Sequence, residues 1–346
     1  MNVLILGANG FIGSFLCEKI LAETDWTVTA LDPGDSNLGA CLGNPRFSFR
    51  KDTMGNSWDW IDREVEAADA VVPLAGIARP AVYIENPLLI FELDFEENLR
   101  VVRRCAETRT RVVFPSTSEV YGMSPDEELD EDHSILVQGP IGKSRWIYSC
   151  SKQMMDRVIA ALGAQRGLPY TLFRPFNWIG PGLDNLHTAK EGSSRVITQF
   201  LGHIVRGEPI KLVDGGAQRR CFTDIEDGIR ALMLILANKD GCATRNIYNI
   251  GNPSNDLSVR ELVSEMMALA ASIPEYRDHA AQVTVLETTS AEYYGKGYQD
   301  VERRVPKIAN TQADLGWTPE VTMQQALARL FEHYKDQLDS ARGLIN

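Results

Sequence analysis

The sequence is poor in the features that mark specialised protein classes. Its six cysteines (Cys17, Cys41, Cys105, Cys150, Cys221 and Cys242) form no C-x-x-C pair and sit mostly among apolar neighbours. That argues against a disulfide framework and for reduced core thiols. Only five histidines occur, with no H-x-x-x-H and no mixed Cys/His cluster, so no metal site is expected. No apolar run reaches the ~18 residues a membrane span needs. The opening "MNVLILGANGFIG" carries neither a basic n-region nor a cleavage site. A cytoplasmic protein with no membrane contact is the expectation. Positive charge is also in deficit: 35 Lys and Arg against 47 Asp and Glu give a net charge of −12. This excludes broad nucleic-acid binding but leaves room for local arginines around a small anionic ligand. Repeats and low-complexity tracts are missing as well.

What is present reads as an ordinary globular chain, 44% apolar and 24% charged over 346 residues. That length suits one large domain or two unequal ones. "NVLIL" (2–6), "TVTAL" (27–31), "FSF" (47–49), "AVVPLA" (70–75), "RVVFPS" (111–116) and "YTLFRP" (170–175) read as strands. They are continuously apolar, as in a parallel sheet covered on both faces. Helical stretches lie between them, among them "FIGSFLCEKILAE" and "FEENLRVVRRCAETR". The alternation implies a doubly wound, Rossmann-type parallel α/β sheet over residues 1–177. Residues 178–346 mix helices with short strands and read as a smaller α/β substrate domain, with an element near 222–250 returning to the sheet. "TMQQALARLFEHYKDQL" closes the chain as an amphipathic helix capped by Thr322.

"GANGFIG" sets Gly7, Gly10 and Gly13 between a strand and a helix. Glycines there permit the tight turn, close approach to a pyrophosphate, and helix–strand packing. The helix N-terminus adds free N–H groups and the positive end of its dipole. The expected cofactor cradle is Gly7, Asn9, Gly10, Phe11, Ile12 and Gly13, with Ala75 beside it at the end of the fourth strand. Asp32 ends the second strand about twenty residues on, where a carboxylate accepts from the adenosine ribose and repels a 2′-phosphate. NAD is therefore expected rather than NADP, with Asp52 as an adenine contact.

"YSCSK" places Tyr148 and Lys152 at i and i+4, on one helix face. A phenol has a pKa of about 10, too high for a base at neutral pH. An ammonium about 4 Å away is worth ~4 kcal/mol at an effective dielectric near 20, or roughly 3 pK units. One ammonium, aided by the positive nicotinamide, thus predicts a phenol brought near working pH as a general base.

These features together resemble the extended short-chain dehydrogenase/reductases, over essentially the whole chain, including "LGWTPEVTMQQAL". The resemblance implies that Tyr148 takes a proton from a sugar hydroxyl as hydride passes to NAD, while Thr117 or Ser118 orients that hydroxyl. It also implies a homodimer paired through the helices around 88–108 and 147–166. The stretch "PSTSEVYG", Pro115 to Gly122, separates branches of the superfamily. Its 4-epimerases resemble "SSATVYG", without a glutamate. Its 4,6-dehydratases resemble "STDEVYG", where the aspartate is the acid and the glutamate the base. Here Ser118 stands in the aspartate's place and Glu119 is kept, as in UDP-glucuronate decarboxylases. "FELDFEENL", "RWIYSCSKQ", "LFRPFNWIGPGLDN" and "YYGKGYQDVERRVP" look like decarboxylase domains of the ArnA type.

That resemblance implies roles residue by residue. Glu119 and Arg304 act around decarboxylation, Ser118 lies beside the carboxylate, and Arg304 handles protonation at C5. Ala78, Tyr83, Thr117, Ser118, Arg145, Asn177, Arg195, Tyr298 and the segment from Lys211 to Arg220 line a UDP-sugar site. The implied reaction is NAD-dependent oxidative decarboxylation of UDP-glucuronate to a UDP-4-keto-pentose. The alternatives are a UDP-xylose synthase, an enzyme making both products, or a non-catalytic NAD-binding regulator. Two positions depart from that pattern, Arg79 and Gly182. The formyltransferase fused to the ArnA-type domain is not expected here.

Overall fold

The computed structural model describes residues 1–184, 186, 195–294 and 299–338. The central sheet holds β1 (Asn2–Leu6), β2 (Thr27–Asp32), β3 (Phe47–Lys51), β4 (Ala70–Pro73), β5 (Arg111–Pro115), β6 (Tyr170–Pro175) and a seventh strand, Asn246–Ile250. From one edge the order is Asn246–Ile250, β6, β5, β4, β1, β2, β3, and every pairing is parallel. The inner strands β1, β4 and β5 are buried along nearly their whole length because both faces of the sheet are covered there. One face packs α1 (Phe11–Glu23) and the helix Ile225–Ala237 through Leu16, Ile20, Ile229 and Leu232. The other packs the helices Asn98–Thr108 and Trp146–Arg166 through Val101, Cys105, Met155 and Ile159. This is the doubly wound, Rossmann-type architecture that the alternation implied. The strand order reverses between β1 and β4, so a crevice opens beyond their carboxyl ends, where such sheets bind ligands.

A second, smaller α/β region has its own core. The helices Val196–Arg206, Val259–Ser272 and Met323–Tyr334 meet through Leu201, Met266 and Leu330. Thr322 caps the last of these in a reciprocal capping box with Gln325. Arg219–Cys221 pairs with Asp256–Ser258 on one side and Arg303–Arg304 on the other. That register puts Arg304 directly opposite Arg220, two cations brought to the cleft by one small sheet.

The structure departs from the sequence pattern in one place that matters below. "FEENLRVVRRCAETR" reads as one helix, but Glu92–Glu97 forms a wider π-helical turn before the α-helix resumes at Asn98. Among the described residues, no helix is long and apolar enough to cross a membrane, and all six cysteines are free.

Candidate active site

The glycine loop is built as a cradle that side chains would fill. Gly7 has φ +88°, and a Cβ there would lie 2.6 Å from the Ala75 nitrogen. A Cβ on Gly13 would lie 2.5 Å from the Gly7 carbonyl oxygen. Gly10 caps α1 with no side-chain hydrogen bond, so the first-turn N–H groups point into the crevice unclaimed by a cap. The geometry fits a dinucleotide pyrophosphate. Asp32 accepts from the N–H groups of Asn9 (3.1 Å) and Gly34 (2.8 Å). Burial pushes its carboxyl up, and those two hydrogen bonds pull it back. Gly7→Ala is expected to raise the Kd for NAD at least about ten-fold and lower the melting temperature, through left-handed strain and the clash with Ala75. Fluorescence titration with NADH checks this.

Asp52 is not brought to this crevice. Its carboxylate is taken up by Arg50 (2.9 Å), the Ser57 hydroxyl (2.8 Å) and the Thr53 N–H (2.8 Å), which hold it down to about 2, Arg50 foremost. The strand-end position is as expected, but the side chain turns to its own loop.

Tyr148 and Lys152 both lie buried on the helix Trp146–Arg166. The Tyr148 ring stacks on Tyr83, with centroids 4.6 Å apart and planes 7° from parallel. The Lys152 ammonium, however, is committed to Asp94: Nζ lies 3.2 Å from Oδ1, and both side chains are nearly inaccessible. Burial foremost, then Asp94, raises the Tyr148 hydroxyl well above its ordinary range, while hydrogen bonds with Thr117 and Tyr83 only partly oppose this. Coulomb arithmetic on Lys152 alone leaves out desolvation and the opposing carboxylate.

Glu119 is aimed by the turn that follows β5. The Thr117 hydroxyl accepts the Glu119 N–H at 3.2 Å and opens a 3-10 turn over Ser118–Tyr121. Val120 and Tyr121 bury completely in the core, which leaves Glu119 facing the cleft. Its two oxygens are gripped by Arg145 Nη2 and Arg304 Nη1, each at 2.5 Å. Burial alone would raise this carboxyl, but Arg145 and Arg304, with Arg220 behind them, hold it at about 2. Glu119 is therefore an ionised acceptor at any working pH and not an acid.

One cleft of about 1050 Å³ joins these parts. The cradle residues Gly7, Asn9, Gly10, Phe11, Ile12 and Gly13 line it, as do Ala78, Tyr83, Thr117, Ser118, Glu119, Arg145, Tyr148, Lys152, Asn177, Arg195, Lys211, Arg220 and Arg304. Arg79 and Gly182 line it too. Asp32 and Ala75 stand behind the glycine loop as its supports. Tyr298 lies outside the described residues. Two of the cations lining it carry their own acids, Arg195 with Asp184 (3.0 Å) and Arg220 with Asp300 (2.6 Å). Sequence reasoning missed Asp94, whose one signal is the wide turn that no local periodicity reveals. It also missed Gln299, whose carbonyl accepts from Arg145 at 2.8 Å.

A glycine cradle at the switch point, a buried Tyr/Lys pair and a carboxylate between arginines define a nucleotide-cofactor enzyme of the dehydrogenase type. The chain belongs to the NAD dependent epimerase/dehydratase family, whose model matches residues 3–251, and NAD is its cofactor. It is similar over 100% of its length, and 99% of the other chain, to the PbgP3 protein of Burkholderia pseudomallei, with 52% identity and a TM-score of 0.89. More distant likenesses share the fold. A UDP-glucuronic acid 4-epimerase of Bacillus cereus, solved with NAD, matches at 21% identity and TM-score 0.80, over 98% of this chain and 100% of that one. DesIV, a dTDP-glucose 4,6-dehydratase of Streptomyces venezuelae, matches at 23% and 0.81, over 99% and 100%.

Proposed function

We propose that the protein oxidises C4 of UDP-glucuronate with NAD and releases carbon dioxide, leaving a UDP-4-keto-pentose and NADH. The observation that carries this reading is Glu119, ionised, gripped by Arg145 and Arg304, and flanked by neutral Ser118. A dehydratase needs a proton donor at this strand end, and neither residue is one. Two guanidiniums beside the reacting centre suit a sugar that brings its own carboxylate.

NAD, when bound, supplies the hydride acceptor. Tyr148 removes the C4 hydroxyl proton, and Thr117, hydrogen-bonded to the phenol, aligns that hydroxyl. Once C4 is a ketone, the C5 carboxylate belongs to a β-keto acid. The C5–carboxylate bond breaks, its electron pair enters the C4 carbonyl, and carbon dioxide leaves. Positive groups at this end of the cleft stabilise the developing oxyanion, and Arg304 is assigned to protonation at C5. Arg195, Lys211 and Arg220 suit the diphosphate.

The test offers UDP-glucuronate, UDP-galacturonate and UDP-glucose separately with NAD, followed by mass spectrometry. A product lighter by carbon dioxide, formed from a uronate and never from UDP-glucose, is expected. Dehydration of UDP-glucose, or isomerisation of a uronate at unchanged mass, would overturn the reading.

A further inference from the structure

The contact between Glu119 and Arg304 joins segments 185 residues apart, and what ties those segments together lies behind the cleft. Asn249, in the edge strand Asn246–Ile250, is completely buried. Its Oδ1 accepts the Tyr121 hydroxyl at 2.8 Å. Its Nδ2 donates to the carbonyl oxygens of Leu129 (2.7 Å) and Lys307 (3.2 Å). Tyr121 closes the turn that aims Glu119, and Lys307 lies just beyond Arg304 in the chain. One side-chain amide therefore holds both segments.

We propose that Asn249 is a positioning residue that sets Arg304 against Glu119. The inference rests on the proposed function only in that Arg304 and Glu119 act on the sugar.

The partners of Asn249 call for an amide and nothing else. Arg174 can only donate, and its Nη1 gives a hydrogen bond to the Tyr121 oxygen at 2.9 Å. The Tyr121 proton is thereby left for Asn249, whose oxygen must face it. The carbonyls of Leu129 and Lys307 can only accept, so the other end of the side chain must be the NH2 group. Aspartate would set a carboxylate oxygen against those two carbonyls. Leucine would fill the space and withdraw a partner from three buried polar groups.

Both segments are fixed on either side of the residues that matter. Before Thr117, the Ser116 hydroxyl donates to Asp156 (2.7 Å), which also accepts from Arg174 Nη2 (3.1 Å). After Glu119 comes the Tyr121 hydroxyl, on Asn249. On the Arg304 side, the Leu129 N–H donates to the Val305 carbonyl (2.8 Å) and the Lys307 N–H to the Leu129 carbonyl (2.9 Å). The backbone of Asn249 is tied as well, its N–H donating to Glu131 (2.7 Å) and its carbonyl accepting the Thr311 hydroxyl (2.8 Å). The edge of the central sheet is thus the common reference for two residues that meet in the cleft. A misplacement of about 1 Å at a reacting centre can cost on the order of 10²-fold in rate, so a remote buried amide can govern the chemistry without touching substrate.

The test is a double-mutant cycle on carbon dioxide release from UDP-glucuronate, with hydrogen exchange of the NAD-loaded protein read in parallel. Asn249→Ala should slow release about a hundred-fold. In an Arg304→Met background the same change should cost less than about three-fold, because it acts through Arg304. An equal fractional loss in both backgrounds is what a merely structural role gives, and it would overturn the proposal. Tyr121→Phe keeps the ring and removes the one hydroxyl. It should follow the same pattern at about ten-fold, and it carries the test where Asn249→Ala does not fold. By hydrogen-exchange mass spectrometry, either variant should speed exchange at Leu129 and Lys307 and leave the glycine loop unchanged. Unmoved protection at Leu129 and Lys307 would overturn the proposal whatever the sugar. A wild type that releases no carbon dioxide from any UDP-uronate would sink the proposed function, while the exchange measurement would still decide whether Asn249 ties the two segments.

Discussion

Tyr148→Phe should fold as the wild type does and turn over about a thousand-fold more slowly, since positioned proton transfer contributes 10²–10⁴-fold. The ring stays: phenylalanine keeps the stacked contact with Tyr83 at 4.6 Å, so the melting temperature should hardly move. Only the hydroxyl goes, and with it the hydrogen bonds with Thr117 and Tyr83. The loss should fall on kcat rather than on KM, because the interaction develops with the chemistry. Stopped-flow NADH formation checks this. A variant retaining a tenth of wild-type turnover would show that another group takes the proton.

Arg304→Met should cut carbon dioxide release by two orders of magnitude or more, the usual scale for removing one preorganised donor at a reacting centre. The side chain is 8% exposed and bonds Glu119 at 2.5 Å, and methionine retains the apolar stem. Glu119 keeps its second partner, Arg145, so the stability loss should stay below the ~3–5 kcal/mol of a fully broken buried pair. Glu119 also sets an acid limit. Its folded pKa of about 2 lies below its ordinary 4.5, so its contribution is fully present above pH 4.5 and is lost as pH falls through 2. In the variant that contribution should shrink, and melts at pH 3 and pH 7 should differ less than in the wild type. Unchanged carbon dioxide release would remove Arg304 from the chemistry.

The parts legible in the sequence are those set by local pattern. β1 through β6 announce themselves as continuous apolar runs, the glycine loop by its spacing, and the Tyr148–Lys152 face by i, i+4 periodicity. What stayed hidden depends on tertiary contacts between distant segments. Arg304 reaches Glu119 across 185 residues of chain, and only family resemblance, not spacing, pointed to it. Asp94 meets Lys152 because a π-helical turn rotates it inward, and no composition rule marks that turn. The carboxylate that opposes Lys152 at Tyr148 stayed hidden for the same reason, since it comes from another helix. Asp52 shows the reverse. Its strand-end position was readable, but its side chain answers to Arg50 and Ser57, neighbours that satisfy it locally.

The most direct test of the whole account mixes the protein with UDP-glucuronate and excess NAD, counting NADH and carbon dioxide in the same reaction. One NADH for each carbon dioxide is the predicted result, marking C4 oxidation, decarboxylation and release of the ketone. Carbon dioxide without NADH would mean that the hydride returns to C4 and the ketone is not the product. NADH without carbon dioxide would contradict the assignment of Glu119, Arg145 and Arg304 to a decarboxylating site.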